Sequence, residues 1–539
     1  MPQALRLAAL LATVAGCAAQ SDSAAGLASI AFVPQCSTSS QCTAGTVCKA
    51  PYGVCVTSEH NGSTVALAVS PPAKVSPVVH IGSVTFSPDN TYDVHIPQTI
   101  VITGIVKAGP NVVPATLVAV TKDPIIKGAL MRSQAAFKSG DPFKLQLFAG
   151  YQYNLTISVD DGGKTPPHHE EIAFSTSEIH DFALPDPAAD YTCFTGAVKI
   201  VQGGMPVGIK GARVTAVQPK SEDQCTSTVT DTHGTFELLC PSNAALDIVV
   251  SGDSDGPVLP TFTTSFVWKD YVPQTSPTCL ALPYVIVPPE THETTATVLV
   301  TDATDAPLAG IAVTASAVFD KDGWTHAVLR VEGTTDTDGK ATLHLLDGSY
   351  HVTVAPHPTD PWAVKQDDTP WDVTAEPIKT VTLGKKEMLT TSVVDHAGRP
   401  VPGAKVVATA SLVDAATKTS ADREYVTETG ANGGFQLPVD PEFELDLAVI
   451  PPEDSGLPRW WRAEVLVVHS GGAAPAPFTL AQPSLIEGNV LDAAGAPVGE
   501  AAVDVYTTPK PKDGPARLIG RGVSTPDGRY FLILPCPKP

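Results

Sequence analysis

Basic residues are scarce in this chain: 34 Lys and Arg stand against 56 Asp and Glu, a formal charge of −22 at pH 7. A surface of that sign repels phosphate backbones, which argues against nucleic acid as a partner. Charged residues are only 17% and hydrophobic ones 43% of 539 residues, a mixture too apolar for a disordered polymer. It suffices for about three to five packed domains. Methionine (4 residues) is sparse, whereas proline (50) and glycine (42) are abundant. Long helices are therefore disfavoured, and short strands punctuated by turns are expected. No apolar run of the ~18 residues or more that a membrane-spanning helix needs is seen.

The first residues carry a shorter apolar run, Leu7 to Ala15, preceded by Arg6. It has the length of a secretory signal's apolar region. The run ends in Val14-Ala15-Gly16-Cys17, which resembles a bacterial lipobox. That resemblance implies a signal peptide over 1–16, lipid on Cys17 and a membrane partner reached through that lipid. Ala18 rather than Asp follows the cysteine, which by the same resemblance favours the outer membrane or cell surface. The alternative is an ordinary signal cut after Ala19. The stretch 17–35 is rich in Ser, Ala and Gly and reads as a flexible tether.

The cysteines agree with an oxidising compartment. Cys36, Cys42, Cys48 and Cys55 fall within twenty residues, with neither a C-x2-C pair nor a histidine among them. Zinc ribbons need those short spacings, so a two-disulfide knot over 36–57 is expected, with its pairing open. Short heads of this kind after a lipobox loosely resemble those of secreted proteins of predatory and soil bacteria. Cys193, Cys225, Cys240 and Cys279 are candidates for two further bridges. Cys536 is then left over, as a free thiol or an intermolecular link.

The body of the chain repeats itself. A first signature, D-x-x-G-x-P followed by G-A-x-V, runs through Asp302, Pro307, Gly310 and Val313, then Asp395, Gly398, Pro400, Gly403 and Val406, then Asp492, Gly495, Pro497 and Val503. A looser copy holds Pro206, Gly211 and Val214. A second signature follows each copy: His233-Gly234, Asp338-Gly339, Asn432-Gly433 and Asp527-Gly528. The separations Asp302–Asp338, Asp395–Asn432 and Asp492–Asp527 are 36, 37 and 35 residues. Both signatures read as turns that need positive φ. Between them apolar residues alternate, as in Phe435, Leu437 and Val439. That period of two predicts half-buried antiparallel strands packed as two-sheet sandwiches. The Gly348-Ser349-Tyr350 ending is matched to the stretch Gly150, Tyr151, Tyr153 and Leu155 in a more divergent first unit.

The paired signatures resemble the carboxypeptidase regulatory-like domain, a transthyretin-like β-sandwich, and the related collagen-adhesin B-type repeats, over roughly residues 98–539. The resemblance implies an all-β chain of tandem Ig/transthyretin-like β-sandwiches serving as non-catalytic modules. Some collagen-adhesin repeats carry a Lys–Asn isopeptide, but a convincing terminal-strand Asn is not found here. The expected units are a linker with extra strands over 58–97, then sandwiches over 98–187 (divergent), 188–289 (Cys-containing), 290–384, 385–482 and 483–539. The last is short and lacks the strand equivalent to Ser349–Ala355. Either the N-terminal strands Thr64–Val69 or Val78–Phe86 fill that edge, or a partner does with Cys536 as the link, or a short edge is tolerated.

Chemistry-bearing clusters read as bland. His168, His169, Glu170 and Glu171 follow two prolines and lack the H-E-x-x-H spacing, so a solvated loop is expected. Asp336/Asp338 and Asp253/Asp255 are acidic turns without a twelve-residue calcium loop. Ser254 lies outside any G-x-S-x-G context. Of the six tryptophans, Trp362 and Trp371 with Asp367 and Asp368 between them make the best surface binding loop, though core packing is the commoner role. No metal, cofactor or catalytic group is expected. The reading is a non-catalytic, lipid-anchored envelope rod, structural or adhesive, with a possible protein or polysaccharide ligand. Its rival is a carbohydrate-binding or accessory subunit of a secreted degradative system.

Overall fold

The computed structural model describes residues 37, 39–42, 46–49, 54–57, 64–72, 78–85, 91–122, 132–138, 141–160, 165–184, 191–202, 205–217, 224–241, 246–252, 258–266, 279–281, 285–287, 293–321, 324–461, 466–507 and 517–535. Among them helix is confined to two 3-10 turns, Ser39–Gln41 and Glu453–Ser455, and the remaining regular structure is β. No helix of the described residues is long and apolar enough to cross a membrane.

The third unit shows the common plan. One sheet orders Lys340–Leu346, Glu293–Thr301 and Ile378–Thr382, the last pair parallel. The facing sheet orders Trp324–Thr334, Ala312–Lys321, Ser349–Ala355 and Lys365–Asp372. Alternate residues such as Val313, Ala315, Val352 and Val354 point between the sheets and are buried. This is the period-two burial that a sandwich requires. The first, second and fourth units follow the same three-plus-four logic with small additions.

The signatures organise the turns more fully than glycine alone would. Asp302 Oδ1 accepts from the backbone N–H groups of Thr304 (2.8 Å) and Ala306 (3.0 Å). Asp395 does the same for Ala397 and Arg399 (both 2.9 Å), and Asp492 for Ala494 (2.9 Å) and Ala496 (2.8 Å). These are Asx turns, which the short acidic side chain supports. Where two copies place Gly398 and Gly495 at positive φ, the third-unit copy places Asp305, at φ 62°. The second-signature glycines are doubly required. Gly339 and Gly433 take φ of 75° and 72°, and a Cβ on them would lie 2.6 Å from the Val300 carbonyl and 2.5 Å from the Val393 carbonyl.

The last unit is built from both ends of the chain. Its C-terminal part supplies Pro483–Leu491, Ala502–Thr507, Leu518–Val523 and Arg529–Pro535. Thr64–Ser70 then pairs antiparallel with Ala502–Thr507, from Val65 opposite Thr507 to Ser70 opposite Ala502, and Val79–Thr85 continues that sheet. Val94–His95 runs parallel to Pro483–Leu491 on the other sheet. Matched to the third unit, Thr64–Ser70 stands where Ser349–Ala355 does, Val79–Thr85 where Lys365–Asp372 does, and Val94–His95 where Ile378–Thr382 does. The strand missing from 483–539 is thus present, and it comes from the segment expected as a linker. Val65, Leu67 and Val69 share one apolar core with Val503, Val505, Tyr530 and Leu532. The rod reading changes with this: the last sandwich lies beside the N-terminal segment and is not the far end of an extended array.

Candidate functional site

With no ligand groove announced by the sequence, chemistry concentrates where sandwiches meet. The densest cluster joins the third and fourth units. Asp440, fully buried at 0% exposure, sits just after the strand Gly434–Val439. Its Oδ1 accepts from the Val364 N–H at 3.0 Å, and its Oδ2 lies 3.0 Å from Arg423 Nε and accepts from the Tyr425 hydroxyl. Arg423 Nη1 donates to the Pro356 carbonyl at 2.5 Å. Lys386 Nζ donates to the carbonyls of Asp360 (2.6 Å) and Pro358 and stands 5.6 Å from the Tyr425 ring centroid. Burial, then the Asp440 carboxylate, pushes the Tyr425 phenol well above its ordinary range. Burial and the neighbouring Arg423 lower Lys386. Two more contacts cross this joint: Gln366 Nε2 donates to the Val413 carbonyl at 3.0 Å, and Ser316 bonds the Asp414 carboxylate. Asp440 is paired and hydrogen-bonded at both carboxylate oxygens, whereas Arg423 Nε and Nη2 lack a hydrogen-bond partner among the described residues, so the pair ties the two units through Val364 and Pro356 without every buried donor being satisfied.

The fourth unit meets the closing sandwich through a second charged contact. Arg517 Nη1 donates to Asp446 Oδ1 at 2.9 Å, and burial raises the Asp446 carboxyl despite that partner. Arg459 is pushed down by burial and by Arg521, which itself grips Asp504 at 2.7 and 3.0 Å. A shallow groove here is lined by Pro452, Leu457, Arg459, Arg521, Phe531 and Ile533. The second and third units share one continuous apolar core, from Phe194 to Leu383, and Thr261 bridges Val328 between them. On the opposite side, Phe148 of the first unit enters the core of the closing sandwich.

The cysteines pair as Cys42–Cys55, Cys193–Cys279 and Cys225–Cys240, and Cys48 is also in a disulfide. Cys17, Cys36 and Cys536 lie outside the described residues. The head's Val56 packs against Leu485, with Phe531 and Ile533 beside them. The Cys-rich head therefore rests on the closing sandwich. One group of described residues gathers at metal-ligand distance, Cys193, Glu237 and Cys279, but its two thiols are joined to each other.

Several expected surface features resolve differently. The His168–Glu171 cluster lies on the edge strand His168–Ala173, not in a loop. There Glu171 pairs with Lys122 at 2.6 Å, and His169 meets the Thr156 hydroxyl at 3.0 Å. Residues 365–372 form a strand rather than a binding loop; Trp371 is buried and donates to the Glu376 carbonyl at 2.7 Å. Trp362 packs half-buried on the core, and Trp460 stacks on Phe478 with ring centroids 5.3 Å apart. Trp268 and the side chains of Trp324 and Trp461 lie outside the described residues, as do Asp253, Ser254 and Asp255. Asp336 spends Oδ1 on the N–H groups of Asp338 and Lys340, both at 2.9 Å.

One recurrent group escaped the sequence reading. A buried hydroxyl just before each second signature ties it to the first. Thr335 donates to the Leu308 carbonyl (2.7 Å) and accepts from the Ile311 N–H (2.9 Å). Thr230, Thr429 and Ser524 repeat the pattern on Ile209 and Ala212, Val401 and Ala404, and Val498 and Ala501. The signal was available: a Thr or Ser stands at that offset in all four copies.

No family model matches the chain, and no curated protein matches it. Solved structures give local pairings. A streptococcal ancillary pilin is 10% identical, with a TM-score of 0.21 over 54% of this chain and 99% of that one. The Bacillus anthracis TIE protein is 12% identical, with a TM-score of 0.16 over 71% and 74%. The minor pilin of Streptococcus agalactiae is 12% identical, with a TM-score of 0.21 over 42% and 100%. Scores near 0.2 superpose no common arrangement of sandwiches and carry nothing about function.

Proposed function

We propose that the chain is a non-catalytic, lipid-tethered protein of the bacterial cell envelope whose sandwiches act as structural or adhesive modules toward a protein or polysaccharide. The observation that carries this reading is the convergence of both chain ends on one sandwich, with the disulfide head packed against it. A lipid on Cys17 would then hold the array by its closing sandwich, and the second and third units would face outward. The buried joint at Asp440 and the shared core of the second and third units keep that presentation stiff. Function on such scaffolds sits in exposed loops rather than in a catalytic cleft.

Protease shaving of intact cells carrying wild type or Cys17→Ser, with mass spectrometry of the N-terminal peptide, tests it. Wild type is expected to carry acyl mass on Cys17 and to be shaved from the surface, and the variant to be released. An unmodified N-terminus beginning near Gln20 in wild type overturns the tether.

A further inference from the structure

The closing sandwich is divided between two segments that recognise each other as halves. Residues 64–95 contribute three strands and residues 483–535 four. Apart, each half is a poor protein. The C-terminal half leaves one edge of Ala502–Thr507 and one of Pro483–Leu491 without ladder partners, and opens Val503, Val505 and Leu532 to water. The N-terminal strand is buried on both faces: Val65, Ala66, Leu67, Ala68 and Val69 are all at or below 5% exposure. Such edges and such a strand pair with whatever complementary backbone reaches them first.

The pairing is specific. Side-chain size fixes the register: Val65, Leu67 and Val69 fill the sandwich core while Ala66 and Ala68 are buried on the other face, so a slip of one residue would put alanines in the core and force the larger side chains into the space the alanines leave. Asp93 Oδ1 accepts from Asn489 N (2.9 Å) and Nδ2 (2.8 Å), and the Tyr530 hydroxyl donates to the Tyr92 carbonyl at 2.5 Å across 438 residues of chain. None of these contacts depends on the two halves belonging to one molecule.

What separates closure within a copy from closure between copies is the chain between the halves, and much of it is stiff. The second and third units share a core, and the third and fourth are clamped at Asp440. This arc holds its own ends in register, so closure within a copy dominates when copies are few; the effective concentration it supplies is finite, and closure between copies competes as copy number rises. We propose that the N-terminal strands of one copy complete the C-terminal half-sandwich of a second copy, so that the same clasp that closes one chain joins neighbours head to tail. A head-to-tail contact of this kind extends into a filament wherever the rotation does not close a ring.

The test uses two full-length variants with different tags, Ser70→Cys and Ala502→Cys, produced together in one cell. These positions face each other in the ladder, so exchange brings the two thiols of the tagged chains into register. The expected result is a covalent heterodimer whose linked peptides contain positions 70 and 502 and whose yield rises with expression level. The double variant Ser70→Cys/Ala502→Cys shows that the pair oxidises when closed within one chain. If it links internally while the mixed singles give no heterodimer at any level, the proposal is overturned. Light scattering of the unmodified chain is the second readout: growth into multiples of one copy with concentration supports exchange, and a single-copy mass up to submillimolar concentration refutes it. Neither readout depends on the lipid.

Discussion

Replacing Leu67 by Ala should unfold the opposite end of the chain. Leu67 is fully buried (0% exposed) and packs in one core with Val503, Val505, Tyr530 and Leu532. Truncating a buried leucine removes its transfer free energy and leaves a cavity, together about 2–5 kcal/mol. At about 1.4 kcal/mol per tenfold, the local opening constant of the closing sandwich rises about 30-fold to 4,000-fold. Hydrogen exchange followed by mass spectrometry reads this peptide by peptide. Peptides covering 483–491 and 529–535, the Pro483–Leu491 and Arg529–Pro535 ladder, should lose protection by that factor. Peptides from 293–301 and 378–382 in the third unit should not change. If the loss stays within residues 64–95, the two ends do not share a sandwich and the closed architecture is wrong.

Three further outcomes follow from the joints and turns. Asp440→Ala leaves Arg423 buried without its carboxylate and should cost about 3–5 kcal/mol; a urea midpoint shift of the third and fourth units worth less than about 1 kcal/mol would show the joint is not clamped there. Thr335→Val strands the Ile311 N–H and Leu308 carbonyl and should cost about 1–3 kcal/mol, with the effect confined to the third unit in hydrogen exchange. Burial raises the phenols of Tyr350, Tyr425 and Tyr530 above their ordinary value of 10.0. The unfolded chain therefore ionises these groups first, so stability is complete below pH 10 and falls as pH climbs toward the folded values; a denaturation midpoint that stays flat from about pH 9 to about pH 11 would contradict their burial.

What the sequence could reveal followed the range of the interaction. Asp302 and Gly398 act within their own turns, so local spacing announced them, and the alternation of Phe435, Leu437 and Val439 announced the strands. The hydroxyl of Thr335 reaches back 24 and 27 residues, to Ile311 and Leu308, and belongs to a residue type with many ordinary uses, so only four parallel copies distinguish it. Asp440, Arg423 and Tyr425 gave no signal at all. Asp440 precedes a proline and reads as a turn, Arg423 sits in a polar stretch, and folding alone makes them meet. The closing sandwich lies between these cases. Its missing strand was legible as a deficit, because three complete copies define what a fourth needs. Its source was not, because apolar strands of similar pattern occur along the chain, and only packing selects Thr64–Ser70.

A chain whose two ends share a sandwich also responds differently to being cut. In a linear string of domains one cleavage in a joint divides the molecule, and the outer part diffuses away. Here a single nick between the first and second units would leave residues upstream of it held by the ladder between Thr64–Ser70 and Ala502–Thr507, with the downstream units still attached through that same ladder. Two separated nicks are needed to free a fragment. Exposed joints between sandwiches, where nicking concentrates, can then be cut once without separating any module from the rest.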